Sequence, residues 1–329
     1  MVAIFARLGF LLTLLLGSAG QAPALAAGTG HIFVSHERSN NVVVLDPRTF
    51  EVVATIATAG QPRDLAFSPN HTLLYVACGE DDVVQVIDLA TFTIVDTIAT
   101  GRTPELIAVN QGGTMLYVAN EDEGTVRGIE VLSGRMLAEI NTGAEPEGLA
   151  ISRDGRFLYI ASEIADMVHV VDLATGRIVE SILVGSRPRR LALTPDGTEL
   201  WVTNEVSATV SVIDVAINAV VGTIGFRPPG VRVEDISPVA ILPTADGSTM
   251  IVSLGYANQV AFIDTASRVV QSYVLVGSRA AGLALSGDGR TLYVANALSD
   301  GISVVDVAAR RTLRAISTGR VPHSVVVDG

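Results

Sequence analysis

A short phrase of the form LYVA returns along the chain at a nearly constant interval, and this periodicity limits the fold more than any other feature. Its aromatic or aliphatic anchor falls at Phe33, Tyr75, Tyr117, Tyr159, Trp201, Ile251 and Tyr293, with successive spacings of 42, 42, 42, 42, 50 and 42 residues. Thirteen residues after each anchor an acidic residue closes an apolar run: Asp46, Asp88, Glu130, Asp172, Asp214, Asp264 and Asp306. Sixteen residues further on stands Pro62, Pro104, Pro146, Pro188 or Pro322; Pro238 keeps the place once an eight-residue insertion is subtracted, and Ala280 is the exception. Seven such units and the insertion fill residues 27–329, which leaves nothing over for a second domain.

Each unit holds four short apolar runs, seen in the second as PRDLAF, LLYVACG, VVQVIDL and TIVDTIA. Val, Ile, Leu and Tyr fill the runs, and Gly, Pro, Asn and Asp punctuate them, which is the chemistry of strands and turns. The runs are apolar almost throughout, so the small sheets are expected to be covered on both faces. No stretch of useful length shows a helical period. A four-stranded sheet repeated every 40–45 residues is a propeller blade. The sequence therefore predicts an all-β, seven-bladed β-propeller. Its first unit begins with a second strand (HIFVS, 31–35) and its last ends with a first strand (HSVVV, 323–327). Pairing the C-terminal strand with the N-terminal blade closes the ring and removes two open sheet edges.

Residues 1–26 read as an address. One early cation, Arg7, precedes an apolar run from Leu8 to Leu16, and Ala24-Leu25-Ala26 supplies a small-residue cleavage pattern. The run is too short for a spanning helix of about 20 residues. A secretory signal peptide over 1–26 and a periplasmic propeller over 27–329 are expected, with no transmembrane span in the mature chain.

Composition then excludes mechanisms. All 22 cations are arginine, so a Walker lysine, a Schiff base and a lysine general base are ruled out. A GC-rich genome that spells its cations as arginine would account for that bias without any functional cause. The single cysteine, Cys78, rules out an intrachain disulfide, a cysteine-rich zinc site and a C-x-x-C-H haem attachment, so no covalently attached cofactor is expected. Cys78 follows LYVA on an apolar run and reads as a buried, inert thiol. A formal charge of −12 argues against a broad nucleic-acid or anionic-membrane surface. No G-x-S-x-G nucleophile elbow is present. Asn70-His71-Thr72 has the form of a glycosylation sequon but reads as a turn.

The LYVAN…VIDLAT…G…P…LA pattern resembles the YVTN-type bacterial propellers over the whole repeat region, and most closely the exported propellers associated with PQQ-dependent alcohol catabolism. That resemblance implies a periplasmic protein working beside a quinoprotein dehydrogenase or a cytochrome. It brings no catalytic residue with it. The chain does not resemble the eight-bladed quinoprotein dehydrogenases themselves, because Trp201 is the only tryptophan and their recurrent tryptophan motif is missing. A propeller alone does not fix a function.

Functional residues are sought where the repeats stop agreeing. Two sets of loops reach one rim: those entering the first strand of each unit, at the proline, and those following LYVA. After the proline position come Arg63, Glu105, Glu147, Arg189, Val239, Ala281 and His323. After LYVA come His36-Glu37, Glu80, Glu121, Glu163, Glu205, Leu254-Gly255-Tyr256 and Asn296-Ala297. Five consecutive blades bring charged groups to the rim, and two bring Val239, Leu254, Tyr256, Ala281 and Leu298. The insertion, within Phe226–Arg232, enters the first of these two. Such a divided rim suits an amphiphilic ligand or partner.

Individual residues admit several chemistries. Glu105, Glu121, Glu147 and Glu163 offer oxygen ligands for a hard cation, or form ordinary acidic loops. His36 and His323 belong to the closure blade; with Glu37 they form either a transition-metal or acid–base set, or ordinary surface histidines. Arg63, Arg189 and Arg190 either grip a carboxylate or phosphate or pair with neighbouring glutamates. The runs Glu80-Asp81-Asp82 and Glu121-Asp122-Glu123 would steer a basic partner such as a cytochrome, or serve as a solvated face. Three functions follow: a non-enzymatic binder at the rim accessory to PQQ-dependent oxidation, which is the leading expectation; a lactonase-like hydrolase with metal or His/Glu chemistry at the same rim; and a protein-interaction scaffold.

Overall fold

The computed structural model describes residues 28–143 and 145–329; the expected signal peptide lies outside the described residues. The described chain forms seven antiparallel sheets of four strands each. We number the blades from the closure blade. Blade one holds Pro322–Val327, Ile32–His36, Asn41–Leu45 and Val52–Ala57, so the last strand of the chain pairs with the first. The first strands of the other blades are Pro62–Phe67, Pro104–Val109, Pro146–Ile151, Pro188–Leu193, Pro238–Pro243 and Ala280–Leu285. These seven first strands touch one another in cyclic order and line the axis. The seven-bladed propeller read from the repeats is the fold of the protein.

The repeat residues have local causes. Each acidic residue closing a third strand caps the turn into the fourth: Asp46 Oδ1 accepts hydrogen bonds from the Arg48 and Thr49 amides, and Asp88 Oδ1 from those of Ala90 and Thr91. The LYVA anchors fill the spaces between blades, and Trp201, Tyr75, Tyr159 and Phe33 are among the largest fully buried side chains. Closure is pinned by Asp328, whose carboxylate takes the Thr29 amide at 2.8 Å, the Thr29 hydroxyl at 2.7 Å and His71 Nδ1 at 2.9 Å. His71 thus sits in a turn, as read, and serves the ring closure.

The fourth strands differ from expectation. They are not covered on both faces: Val52, Val53, Val95, Ile178, Val179 and Val221 are exposed, while one residue in six of the seven strands, such as Ile56, Ile98 or Ile182, is buried; in Arg311–Ser317 Ile316 is only half-buried. Adjacent blades diverge toward the rim of the disc, so only the residue that reaches back between them loses contact with water.

Candidate functional site

The first strands share a backbone irregularity just past the proline. Register shifts fall between Pro62 and Leu65, Pro188 and Leu191, Pro238 and Ile241, and Ala280 and Leu283. Such a bulge breaks the alternation of side chains, and two consecutive residues then reach the axial end: Arg63 with Asp64, Arg189 with Arg190, His323 with Ser324. In three blades a hydroxyl holds the bulge. Thr203 Oγ1 accepts the Arg190 amide at 3.0 Å and donates to the Val239 carbonyl of the next blade at 2.8 Å. Ser35 and Ser253 make the same two links. Gly148 is needed at one such point, because a Cβ there would meet the Arg189 carbonyl oxygen.

On this frame stands one continuous charged cluster at the axial mouth. Arg63 binds Glu105 of the next blade, and lies 3.2 Å from Glu37 and 3.6 Å from Glu121. Arg189 lies 3.4 Å from Glu147, 3.2 Å from Glu163 and 3.3 Å from Glu205. Arg190 reaches Glu147 Oε2 at 2.8 Å. Arg187 binds Glu163, and Arg279 lies 3.9 Å from Glu205 and over the ring of Tyr256 at 4.1 Å. The insertion joins this cluster at its end, where Ser237 Oγ donates to Glu205 at 2.7 Å; Phe226 and Ile236 anchor it in the core.

Burial divides the carboxylates. Glu105 and Glu147 are almost completely buried. Burial opposes ionisation of Glu105, but Arg63, Arg190 and Arg189 outweigh it and hold its carboxyl below the usual range. Glu121 keeps 26% of its side chain exposed. Burial, then the Glu105 and Glu147 charges, push it up to about 7, against the pull of Arg63. Glu163 is also pushed up to about 7, by burial first, but its two oxygens are taken by Arg187 and Arg189. Burial likewise raises Glu37.

Beneath the mouth lies a cavity of about 40 Å³, lined by Asp64, Arg190, Val239, Ala240, Ala281, Gly282, His323 and Ser324. Burial raises Asp64 to about 6, opposed by Arg190 and the Ile107 and Leu65 amides. Burial and the charges of Arg190, Arg63 and Arg189 push His323 well below its usual value, so it is a neutral imidazole at pH 7. A larger cavity, about 510 Å³, is on the opposite face, between turns that include Arg153, Asp196, Glu199 and Asp246. Its charges are spent locally: Asp196 caps its own turn, and Glu199 binds Trp201 and Arg268.

The structure thus brings together Arg63, Glu105, Glu121, Glu147, Glu163, Arg189 and Arg190, and it places Glu37 and Tyr256 at the edge of the group. His323 faces the axial cavity. His36 lies apart: it is fully buried, its Nε2 is 2.8 Å from Thr318 Oγ1, and its ring lies against Gly319. Asn120, Asn204 and Asn296 occupy the same place under Gly101, Gly185 and Gly277. His36 is therefore a structural pin and does not form one set with His323 and Glu37. Leu254 is buried in the core and does not line the rim. Cys78 is buried, and burial followed by Asp81 pushes its thiol up to about 12. Both readings of the arginines were open in the sequence; in the structure Arg63, Arg189 and Arg190 are all paired with glutamates.

Single oxygens of Glu105, Glu121 and Glu147 lie within 4.8 Å of one another. Each of the three carboxylates already faces an arginine, Glu121 at the longest distance, which leaves a hard cation without the six or more free oxygens it seeks. Glu205, read at the rim from the sequence, joins the site; Arg187, Arg279 and Asp64 belong to it too and were not singled out from the sequence. The signal for Arg187 and Arg279 was present, because both stand immediately before the proline position.

Comparison with known proteins places this geometry in context. A family model described as "Lactonase, 7-bladed beta-propeller" matches residues 131–242 and 182–327, together well over half of the chain. No curated protein matches the sequence. Among solved structures, the periplasmic gluconolactonase PpgL of Pseudomonas aeruginosa superposes with a TM-score of 0.76 at 21% identity, covering 91% of this chain and 99% of that one. A putative 6-phosphogluconolactonase from Bacteroides uniformis gives a TM-score of 0.75 at 16% identity, over 90% and 98%. A chain of hydrazine synthase from Kuenenia stuttgartiensis gives 0.77 at 21%, over 90% and 99%. At these identities the superpositions speak for the fold alone.

Proposed function

The chain belongs to the seven-bladed β-propeller lactonase family, and we propose that its charged mouth hydrolyses a lactone. Family membership favours this over a purely binding role. The observation that carries the mechanism is Glu121, a partly exposed carboxylate pushed up to about 7 with a guanidinium 3.6 Å away. A general base works best with a pKa near the working pH.

Glu121 would take a proton from water as the oxygen attacks the lactone carbonyl carbon. Arg63 would stabilise the negative charge that develops on the carbonyl oxygen. When the ring C–O bond breaks, the proton held by Glu121 passes to the leaving oxygen, giving a hydroxyl and a carboxylic acid. Arg189 and Arg190, held rigid by Glu147, would attract the anionic product or an acidic group on the substrate. His323 and Asp64 shape the floor.

The leader sequence and the resemblance to PQQ-associated propellers support a periplasmic setting. Oxidation of a cyclic hemiacetal by a quinoprotein dehydrogenase yields a lactone, so such an enzyme, or its cytochrome, is a fitting neighbour. The test is turnover of glucono-1,5-lactone and γ-butyrolactone by purified protein, followed by pH-stat. Glu121→Gln should lower kcat by about 10²–10⁴-fold. Turnover that is unchanged in Glu121→Gln would remove this mechanism.

A further inference from the structure

The fifth residue after each repeat anchor stands on the loop joining the second and third strands, on the side of the mouth. Around the ring this position reads Arg38, Glu80, Asp122, Ile164, Val206, Tyr256 and Leu298. All seven are exposed. Three consecutive blades present charge there, and the next four present apolar side chains. The apolar four are 64%, 67%, 54% and 68% exposed, in that order. Val233 of the insertion, 65% exposed, adds to the same side between blades five and six. The sequence already separated two apolar blades; at this position the apolar arc covers four.

This crescent is tied to the reactive cluster. Arg279 stacks over Tyr256 and lies 3.9 Å from Glu205, which lies 3.3 Å from Arg189. A molecule whose head reaches the arginines would therefore leave its far end beside the apolar loops. A polyhydroxylated lactone finds no donor or acceptor among Ile164, Val206 and Leu298, whereas a hydrocarbon chain would remove their surface from water.

We propose that the mouth takes lactones bearing an alkyl or acyl chain, with Ile164, Val206, Tyr256 and Leu298 forming the bed for the chain. The proposal rests on the hydrolase reading of the mouth, and names its substrate class. Each methylene laid on the bed should raise kcat/KM by up to about fourfold, the equivalent of burying one CH₂.

The experiment compares γ-butyrolactone, γ-octalactone, γ-decalactone and glucono-1,5-lactone on the parent protein and on a triple variant, Ile164→Ser with Val206→Ser and Leu298→Ser. All three positions are on the surface, and circular dichroism checks that the variant is folded. The expected result is a kcat/KM that rises with chain length in the parent and a flattened slope in the variant. A flat parent series, or a slope that the variant keeps, overturns the proposal and leaves lactone hydrolysis standing. If no lactone is turned over, the hydrolase reading falls by itself, and calorimetric titration with the same series then reads the crescent. Affinity that grows with chain length and is lost in the variant upholds the apolar bed; affinity independent of chain length overturns it. A variant that keeps the slope but loses binding to phosphatidylcholine vesicles would assign the crescent to a membrane surface and overturn the proposal.

Discussion

Arg190 of blade five donates to Glu147 of blade four across 2.8 Å, and both side chains are withdrawn from water. The same carboxylate also faces Arg189, at 3.4 Å. The mouth is thus stapled from blade to blade by its own buried charges. Removing one partner of a buried pair leaves the other charge without compensation. Glu147→Leu should therefore destabilise the propeller by about 3–5 kcal/mol, read as a lower urea midpoint at pH 7. Adding Arg190→Met should recover only part of that loss, because Arg189 has lost one of its three carboxylates, keeping Glu163 and Glu205. Full recovery would show that Arg189 draws nothing from Glu147.

In the proposed mechanism Glu121 sets the pH dependence of turnover. Its carboxyl is raised to about 7, so the base form is scarce below pH 7 and dominant above it. The kcat/KM profile should rise with pH through about 7 and then level. Burial contributes most to the shift, and the Glu105 charge comes next. Glu105→Gln removes that repulsion and should move the ascending limb toward acid. A limb that stays in place would assign the titration to another group. Stability carries the opposite slope: raised carboxyls on Glu121 and Glu163 bind extra protons in the folded state. Their contribution is complete below about 4.5 and is lost as pH rises through about 7.

Chelation separates the arginine mechanism from a metal one. Glu105, Glu121 and Glu147 approach one another closely enough to share a cation. Arg63 already binds Glu105, however, and Arg189 and Arg190 bind Glu147, so the cluster is internally neutralised. Dialysis against EDTA should leave lactone turnover and the melting temperature unchanged. A loss restored by Ca²⁺ would mean that the ion displaces guanidinium groups and is the electrophile.

The repeat made the fold legible because each blade solves the same packing problem with the same residues in register. It also placed Arg63, Glu105, Glu147, Arg189 and His323 at one end of the axis, since equal repeat positions lie at equal heights. Side-chain direction was the part that the repeat hid. The bulge past Pro62 and Pro188 lets Asp64 and Arg190 reach the axis beside Arg63 and Arg189, where strict alternation would turn one of each pair away. The reach of Arg187 and Arg279 across loops depends on a backbone with φ of 62° and 58°, which no composition rule announces. His36 misleads for a simpler reason. Three of its six equivalents are asparagines against the same glycine, and an imidazole in that place carries no more function than they do.

That equivalence supplies the last prediction. His36 is fully buried, and burial pushes its pKa down to about 4 against the opposing effects of Asn41 and Asp300. The unfolded chain binds a proton near pH 6.5, whereas the folded chain resists it until about 4. The contribution of His36 to stability is therefore complete above about 6.5 and is lost as pH falls toward 4. By pH 5 the loss should reach about 1–2 kcal/mol, at 1.36 kcal/mol per unit. His36→Asn installs the side chain that blades three, five and seven carry in the same place, against the same glycine. At pH 8 the variant should melt close to the parent; at pH 5 it should melt higher, because Asn does not titrate. Glu121 and Glu163 titrate in both proteins and cancel in the difference. A variant whose deficit is the same at both pH values would show that the Thr318 contact at 2.8 Å matters and that the proton does not.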